Sequence, residues 1–396
     1  MKLDGRGYSP LVLEQIVTVG GAVKSYELAA VLLKKLAEVA VSPRHVNNLT
    51  TMVGVELAEA THRQTEAHQE QPLPRAPRAP ETPIAPATVA CDGGRMQTRV
   101  AGGGPGVHEA HWRETKNAGF FRMKTESHAA DPHPALPRCF ANREHMRGLL
   151  DGVPEADEPD AALPAPAVSS EDWRPKVLFR TCLSSLCDSE SFGPMMAAQA
   201  DSRGLFAAER RAFLGDGQAY NWTIQKKHFP TFEPIVDFIH PMEYLYEAAR
   251  AIHPEEQAGW KAFQTWAELT WQGRVGDVLQ TLREALAQLP AQEEDRRWTA
   301  AVTLTYLENN QSRMDYPRYR REGPPVSSAL IESLIKEINY RVKGTEKFWN
   351  DDQSGEAILY VRAALLCHDD RLARHLSQRP GSPYARSRLP YTSVAA

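Results

Sequence analysis

The chain has 396 residues, 42% of them hydrophobic and 24% charged, with a formal net charge of −4. That length holds two or three domains with a sizeable core, and the charge balance gives no sign of a nucleic-acid binder. Five scattered cysteines argue against a disulfide framework, and no apolar run approaches the roughly 20 residues of a membrane span. The expectation is a soluble cytoplasmic protein with no membrane contact.

Residues 1–60 read as helices. "SYELAAVLLKKLAEVA" offers Ser25 as N-cap, and "SPRHVNNLTTMVGVEL" opens on Ser42-Pro43, an N-cap and a first-turn proline. A short break between these two helices has the shape of a helix-turn-helix unit. In that reading Arg44, His45, Asn47 and Asn48 start a recognition helix and face a DNA groove. The competing reading is a three-helix bundle for protein contacts.

Residues 61–87 carry proline every few positions among alanine, arginine and glutamate, the composition of an extended linker. Another stretch of this kind, 154–172, reads as a surface loop. Between them the pattern changes to strands. "ATVACDGGRMQTRV" reads as a short strand ending at Asp92, a turn at Gly93-Gly94 and a second strand. "HWRETKNAGFFRM" and "PKVLFRTCL" read as further strands, and "SESFGPMMAAQADSRG" as a helix ending at Gly204. "RRAFLGDGQAYNW" is a strand into Asp216 followed by a helix, and "FEPIVDFIH" a buried strand ending near His240. Strands alternating with helices predict an α/β sheet over 88–240.

Residues 241–325 are helical throughout, with four tryptophans, Trp260, Trp266, Trp271 and Trp298, expected mainly in the core. Residues 326–350 form one more helix, and 351–396 a last helix and a basic tail with arginines at 371, 374, 379, 386 and 388. Such tails are mostly solvated, and a minority contact phosphates. On the 326–350 helix, Leu330, Ile331, Leu334, Ile335, Ile338 and Val342 form an apolar stripe. Glu332, Lys336, Asn339 and Lys343 follow one another on another face, so Glu332 either pairs with Lys336 or serves a partner remote in sequence.

Asp92, Asp216 and Glu332 form a strand, strand, helix set of acids, the kind that holds two divalent cations. Each alone also reads as a turn former or a helix-surface acid. Weaker candidates are the glycine-rich "AGGGPG", which lacks the P-loop lysine, the histidines His108 and His111, and the Cys182/Cys187 pair as half of a zinc site.

Together, "CDGG", "HWRETK", "FLGDGQAYNW", "IVDFIH" and "SSALIES…INYRVKGTEKFW" resemble the bacterial insertion-sequence transposases of the Kra type, which are acid-triad enzymes. The likeness runs from about Tyr8 to about Pro380. It implies a ribonuclease-H-like α/β core with a large all-helical insertion, preceded by an all-helical helix-turn-helix-like domain. It also implies that Asp92, Asp216 and Glu332 bind two Mg²⁺ ions, with Mn²⁺ as a substitute, and that Asp237 and His240 are active-site neighbours. Lys336, Asn339, Arg341 and Lys343 would then run along the DNA backbone. The implied activity is metal-dependent cleavage and strand transfer at element ends. The implied partners are double-stranded DNA, both element ends and target, and further copies of the chain in a synaptic complex at the nucleoid. The chain departs from the family in its "VSSALIES" approach to the glutamate helix, where a Gly-Ser-Gly-like stretch is usual. It also lacks a cysteine-rich segment upstream of the helices. The alternatives are a transposase-derived DNA-binding protein without catalysis and a structure-selective nuclease on the same core.

Overall fold

The computed structural model describes residues 8–73, 75, 86–100, 111–150, 174–327, 329–344 and 347–379. The glycine-rich 101–106 stretch, His108, the 154–172 loop, Arg386 and Arg388 lie outside the described residues, as do residues 74 and 76–85 of the proline-rich linker.

Three helices come first: α1 (Pro10–Ala22), α2 (Tyr26–Ala37) and α3 (Pro43–Gln69). Each is capped by a serine, with Ser9, Ser25 and Ser42 accepting from the amides of Val12, Leu28 and His45. Helix α3 runs well into the segment expected to be linker. Its buried stripe continues through Leu57, Thr61, Thr65 and His68. The late members are polar, so an apolar periodicity does not register them. Thr61 and Thr65 satisfy their hydroxyls on Leu57 O and Thr61 O, and His68 meets Asp201 at 3.5 Å.

A five-stranded mixed sheet follows, built from β1 (Ala87–Gln97), β2 (Trp112–Lys124), β3 (Lys176–Ser185), β4 (Arg211–Gly215) and β5 (Glu233–Val236). Its order is β3-β2-β1-β4-β5. Strand β2 is antiparallel to β1 and β3, while β4 is parallel to β1 and β5. Helices α4 (Arg138–Ala141) and α5 (Arg143–Leu150) precede β3, α6 (Ser189–Ser202) follows it, and α7 (Ala219–His228) links β4 to β5.

Strand β1 passes straight through Asp92-Gly93-Gly94, where a turn was expected. Asp92 pairs with Asn117 and Gly94 with Thr115 in an unbroken ladder. A Cβ on Gly94 would come within 2.6 Å of Thr115 Oγ1 and 3.0 Å of Asn117 Nδ2, so glycine here leaves room for side chains of the neighbouring strand β2 and makes no chain reversal. The β5 strand also ends earlier than expected, at Val236, which leaves Asp237 and His240 beyond the sheet.

Between β5 and the next core helix lies a block of α8 (Ile239–Ile252), α9 (Glu256–Trp271), α10 (Val275–Gln288), α11 (Glu294–Asn310) and α12 (Tyr316–Glu322). Phe238 anchors it, meeting Trp271 at 4.7 Å and Tyr316 at 5.1 Å between ring centroids. Trp266 and Trp271 are core residues as expected, but Trp298 is 69% exposed.

Helices α13 (Ala329–Val342), α14 (Asp352–Leu366) and α15 (Arg371–Gln378) complete the chain. The expected single last helix is broken before α15, where Asp370 takes the left-handed conformation at φ 47°. Side chains alternate across the sheet, and the two faces can be assigned from this. Gly94 and Gly119 lie beneath Asn339 and Ile331 of α13, whereas Gly93 faces Tyr220 of α7.

The opening helices do not stand apart from the sheet layer. A Cβ on Gly54 would lie 2.2 Å from Ala357 O, so the α3 and α14 backbones touch. Further along, α3 bonds α6 through Gln64 and Gln199 at 2.7 Å. The buried apolar residues of α1–α3 belong to the same core as those of the sheet. Among the described residues, no helix is long and apolar enough to cross a membrane.

Candidate metal centre

Strand β1 is central in the sheet and holds Asp92 where the parallel pairing with β4 ends, at Cys91 and Gly215. The chain leaves β4 at Gly215, so Asp216 emerges beside Asp92. Two groups fix its carboxylate: the Gln218 amide at 2.9 Å and Asn221 Nδ2 at 2.7 Å, both to Oδ1. Its own carbonyl accepts from Tyr306 Oη of α11 at 2.9 Å. Gly217 must be glycine here. Its φ is +96°, and a Cβ would lie 2.6 Å from the Tyr306 ring.

The next parallel strand brings a third acid. Asp237 follows β5, donates its amide to Gly215 O at 2.9 Å and is fully buried. At the second residue of α8, His240 places Nε2 3.8 Å from Asp237 and Nδ1 3.4 Å from Glu243. Donor atoms of Asp92, Asp216 and His240 all lie within 4.8 Å of one another. A cavity of about 500 Å³ opens from Asp216 and His240 toward α11, with Glu243, Glu247 and Trp298 in its wall.

The electrostatics follow from this crowding. Burial, with Asp216 and Asp237 nearby, raises the Asp92 carboxyl from its ordinary 3.8 to about 7. Burial works against the His240 imidazolium, but the Glu243 hydrogen bond and the charges of Asp237, Glu243 and Asp216 outweigh it and raise its pKa to about 10. Burial, then the charges of Cys91, Asp216, Asp92 and Glu114, also raise the Tyr220 phenol. The site therefore holds a surplus of negative charge with one internal cation.

Glu332 lies outside the group of three. It is half-buried in the first turn of α13, beside Ile331, which packs over Gly119. Helical spacing puts Glu332 and Asn339 on one flank of α13, and Asn339 sits over Gly94 of β1. The opposite flank carries Glu337, which pairs with Arg180 of β3 at 2.8 Å. Glu332 thus occupies the flank turned toward β1. The segment before α13 is tied down six residues ahead of Glu332, where Val326 O accepts the Phe238 amide at 2.9 Å, next to Asp237.

The expected DNA-contacting residues divide. Arg44, Asn48, Lys336 and Lys343 are exposed. His45 is half-buried against the Tyr8 ring, and Asn47 accepts from Thr51 Oγ1 at 3.3 Å. Arg341 is placed differently from the expectation. It is 1% exposed and donates from Nε to Gly20 O at 2.9 Å. The reason is its spacing, three residues after Ile338 and seven after Leu334, which puts it on the buried stripe. His111 bonds Thr98 Oγ1 at 3.0 Å. Cys182 lies 3.9 Å from Cys367 Sγ and has no such contact to Cys187 among the described residues.

Comparison with protein-family models and with curated proteins finds no match. The site must be read from its own geometry. Sequence reasoning passed over Asn221, Tyr306 and Glu243. Asn221 and Glu243 stand within a turn of Asp216 and His240, so local spacing carried a signal for them. Tyr306 comes from α11, and nothing in the sequence points to it.

Proposed function

We propose that the protein is a DNA transposase that cleaves and joins phosphodiesters with Mg²⁺ held by Asp92 and Asp216. The observation that carries this reading is the convergence of Asp92, Asp216 and His240 from separate parts of the chain. The sheet order, with β1 central and Asp92 and Asp216 each just past the last parallel pair of β1 and β4, supports a ribonuclease-H-like core. The helical block before α13 supports the expected insertion.

Two oxygen donors beside a cavity suit Mg²⁺, which keeps several water or phosphate ligands. Bound Mg²⁺ supplies neutralisation of phosphate charge and activation of the attacking oxygen. The protein groups then have separate tasks. Asp92 and Asp216 hold the ion, and Asn221 keeps Asp216 in position. His240 is already bonded through Glu243, so it acts as a fixed cation at the cavity wall and not as a third ligand. Glu332 completes the set when α13 carries it toward β1 and β4. Double-stranded DNA is the substrate, and two ends require at least two copies of the chain.

The test is Mg²⁺-dependent cleavage and strand transfer on DNA carrying the flanking element ends, for wild type, Asp92→Asn and Glu332→Gln. Loss of products in both variants with DNA binding retained supports the reading. A second reading, a DNA-binding protein without catalysis, draws on the position of Glu332 outside the group of three. It predicts no product from folded, DNA-binding wild type at any Mg²⁺ or Mn²⁺ concentration.

A further inference from the structure

A second polar cavity, of about 260 Å³, lies where the α1–α2 turn, the start of α3 and the segment after α13 meet. Among the described residues its cations are Lys24, Arg341 and Lys347, and its carboxylate is Glu27. Helix α2 starts in its wall at Tyr26, with Ser25 as cap. Ser25 accepts from Leu28, so the first-turn amides of Tyr26 and Glu27 have no intrahelical acceptor.

Arg341 gives the cavity its chemistry. Its guanidinium lies over the rings of Tyr26 and Trp349, 4.6 and 5.0 Å from their centroids. Nε and Nη1 are spent on Gly20 O and Lys24 O, at 2.9 and 3.4 Å. Nη2 is buried beside the Tyr26 hydroxyl, with which the guanidinium also interacts, so the partners of Arg341 among the described residues are two backbone carbonyls and a phenol and none of them is charged. A buried charge without a charged partner is costly. Lys347 adds to the same field, reaching Arg341 O at 2.6 Å. Burial, then the charges of Arg341 and Lys24, lower its ammonium to about 8.

We infer that this cavity binds one phosphate group, held by Lys347, Lys24 and the first-turn amides of α2, with the Arg341 guanidinium adding positive charge from the wall. Guanidinium, ammonium and a helix N-terminus are the donors that recognise phosphate. Asn47 of α3 lines the same cavity, and exposed Arg44 and Asn48 flank it in sequence. The phosphate source assigned is therefore a DNA backbone phosphate. That source rests on the transposase reading, whereas the phosphate chemistry does not. The site would clamp DNA at the junction of the opening helices and α13, the helix that carries Glu332.

The experiment has two arms, each run on wild type, Lys347→Gln and Lys24→Gln, with melting curves to confirm folding. In the first, inorganic phosphate is titrated calorimetrically. In the second, duplex DNA binding is measured from 50 to 300 mM salt. The expected result is phosphate binding by wild type that both variants weaken. DNA affinity should drop about tenfold, and the slope of log K against log salt should shrink by about 1 per lost contact. Phosphate binding lost in the variants with DNA affinity unchanged keeps the site but assigns it to free phosphate. Failure of wild type to bind DNA at all overturns the transposase reading, and the phosphate arm still decides the cavity. No phosphate binding by wild type, together with unchanged DNA binding in folded variants, overturns the inference.

Discussion

Asn221 donates from Nδ2 to Asp216 Oδ1 at 2.7 Å across the turn from β4 into α7. The bond is buried, and it fixes the carboxylate rotamer that faces Asp92. Replacing Asn221 with Ala leaves the Gln218 amide as the partner of Asp216 but frees its orientation. Mg²⁺ affinity should fall about 10- to 100-fold, as it does when an outer-shell partner of a ligand is removed. Stability should fall by only about 1–2 kcal/mol. Calorimetric Mn²⁺ and Mg²⁺ titrations beside urea melts measure the two effects separately, and equal metal affinity in the variant would remove Asp216 from the centre.

The raised Asp92 carboxyl predicts a pH dependence of a particular sign. Folded Asp92, at about 7, holds its proton more tightly than the unfolded chain does at its ordinary 3.8. The stability from this difference is complete below about pH 4 and is lost as pH rises through 7, on the order of 4 kcal/mol. Without metal, Asp92→Asn should therefore match wild type near pH 4 and melt at a higher temperature at pH 8. Mg²⁺ should raise the wild-type melting temperature at pH 8 far more than at pH 5, and should leave the variant unmoved. A variant that melts below wild type at pH 8 without metal would contradict the crowding of acids described above.

The sequence made some of this legible and hid the rest for physical reasons. The alternation of strands and helices gave the sheet, and the helical block after His240 was plain from periodicity. The Asp92 and Asp216 pair could be picked out because each acid ends an apolar run beside glycine. The same glycines misled the reading of β1, since a turn and close packing of side chains from the neighbouring strand both favour a residue without a side chain. The extent of α3 was hidden because threonines continue its buried stripe. Arg341 was misplaced because a basic residue on a helix was assigned by charge and not by its seven-residue spacing from Leu334. The placement of Glu332 depends on how α13 packs, which no local pattern encodes.

Docking of the opening helices onto the sheet layer can be tested at Gly54. Any side chain there meets the Ala357 carbonyl, and backbone cannot yield as a flexible side chain would. Gly54→Ala should push α3 off α14 at a cost of about 1–3 kcal/mol or more, although alanine favours the helix itself. One cooperative transition with a lowered midpoint would show a shared core. Two transitions, with only the first moved, would show that the helices fold as a separate unit.

Arg320 of α12 is fully buried and holds the helical block against the chain that follows β2. It donates from Nε to Asp131 Oδ1 at 2.8 Å and from Nη2 to Asp131 Oδ2 and to Trp271 O. Its guanidinium also lies 4.0 Å from the Trp271 ring centroid. Removing Asp131 strands a charge in the core, so Asp131→Ala should cost about 3–5 kcal/mol at pH 7. Burial pushes the Asp131 carboxyl up, but the Arg320 hydrogen bonds and charge outweigh it and hold the pKa below its ordinary value. Stability from this pair is therefore present at neutral pH and lost as pH falls through the folded pKa. The gap between wild type and Asp131→Ala should narrow in acid, and denaturant melts at pH 7 and pH 3 measure it. A gap that stays constant would mean that the pair contributes packing and no charge interaction. Arg320→Met with Asp131→Leu, which removes both charges and keeps the volume, should recover most of the loss.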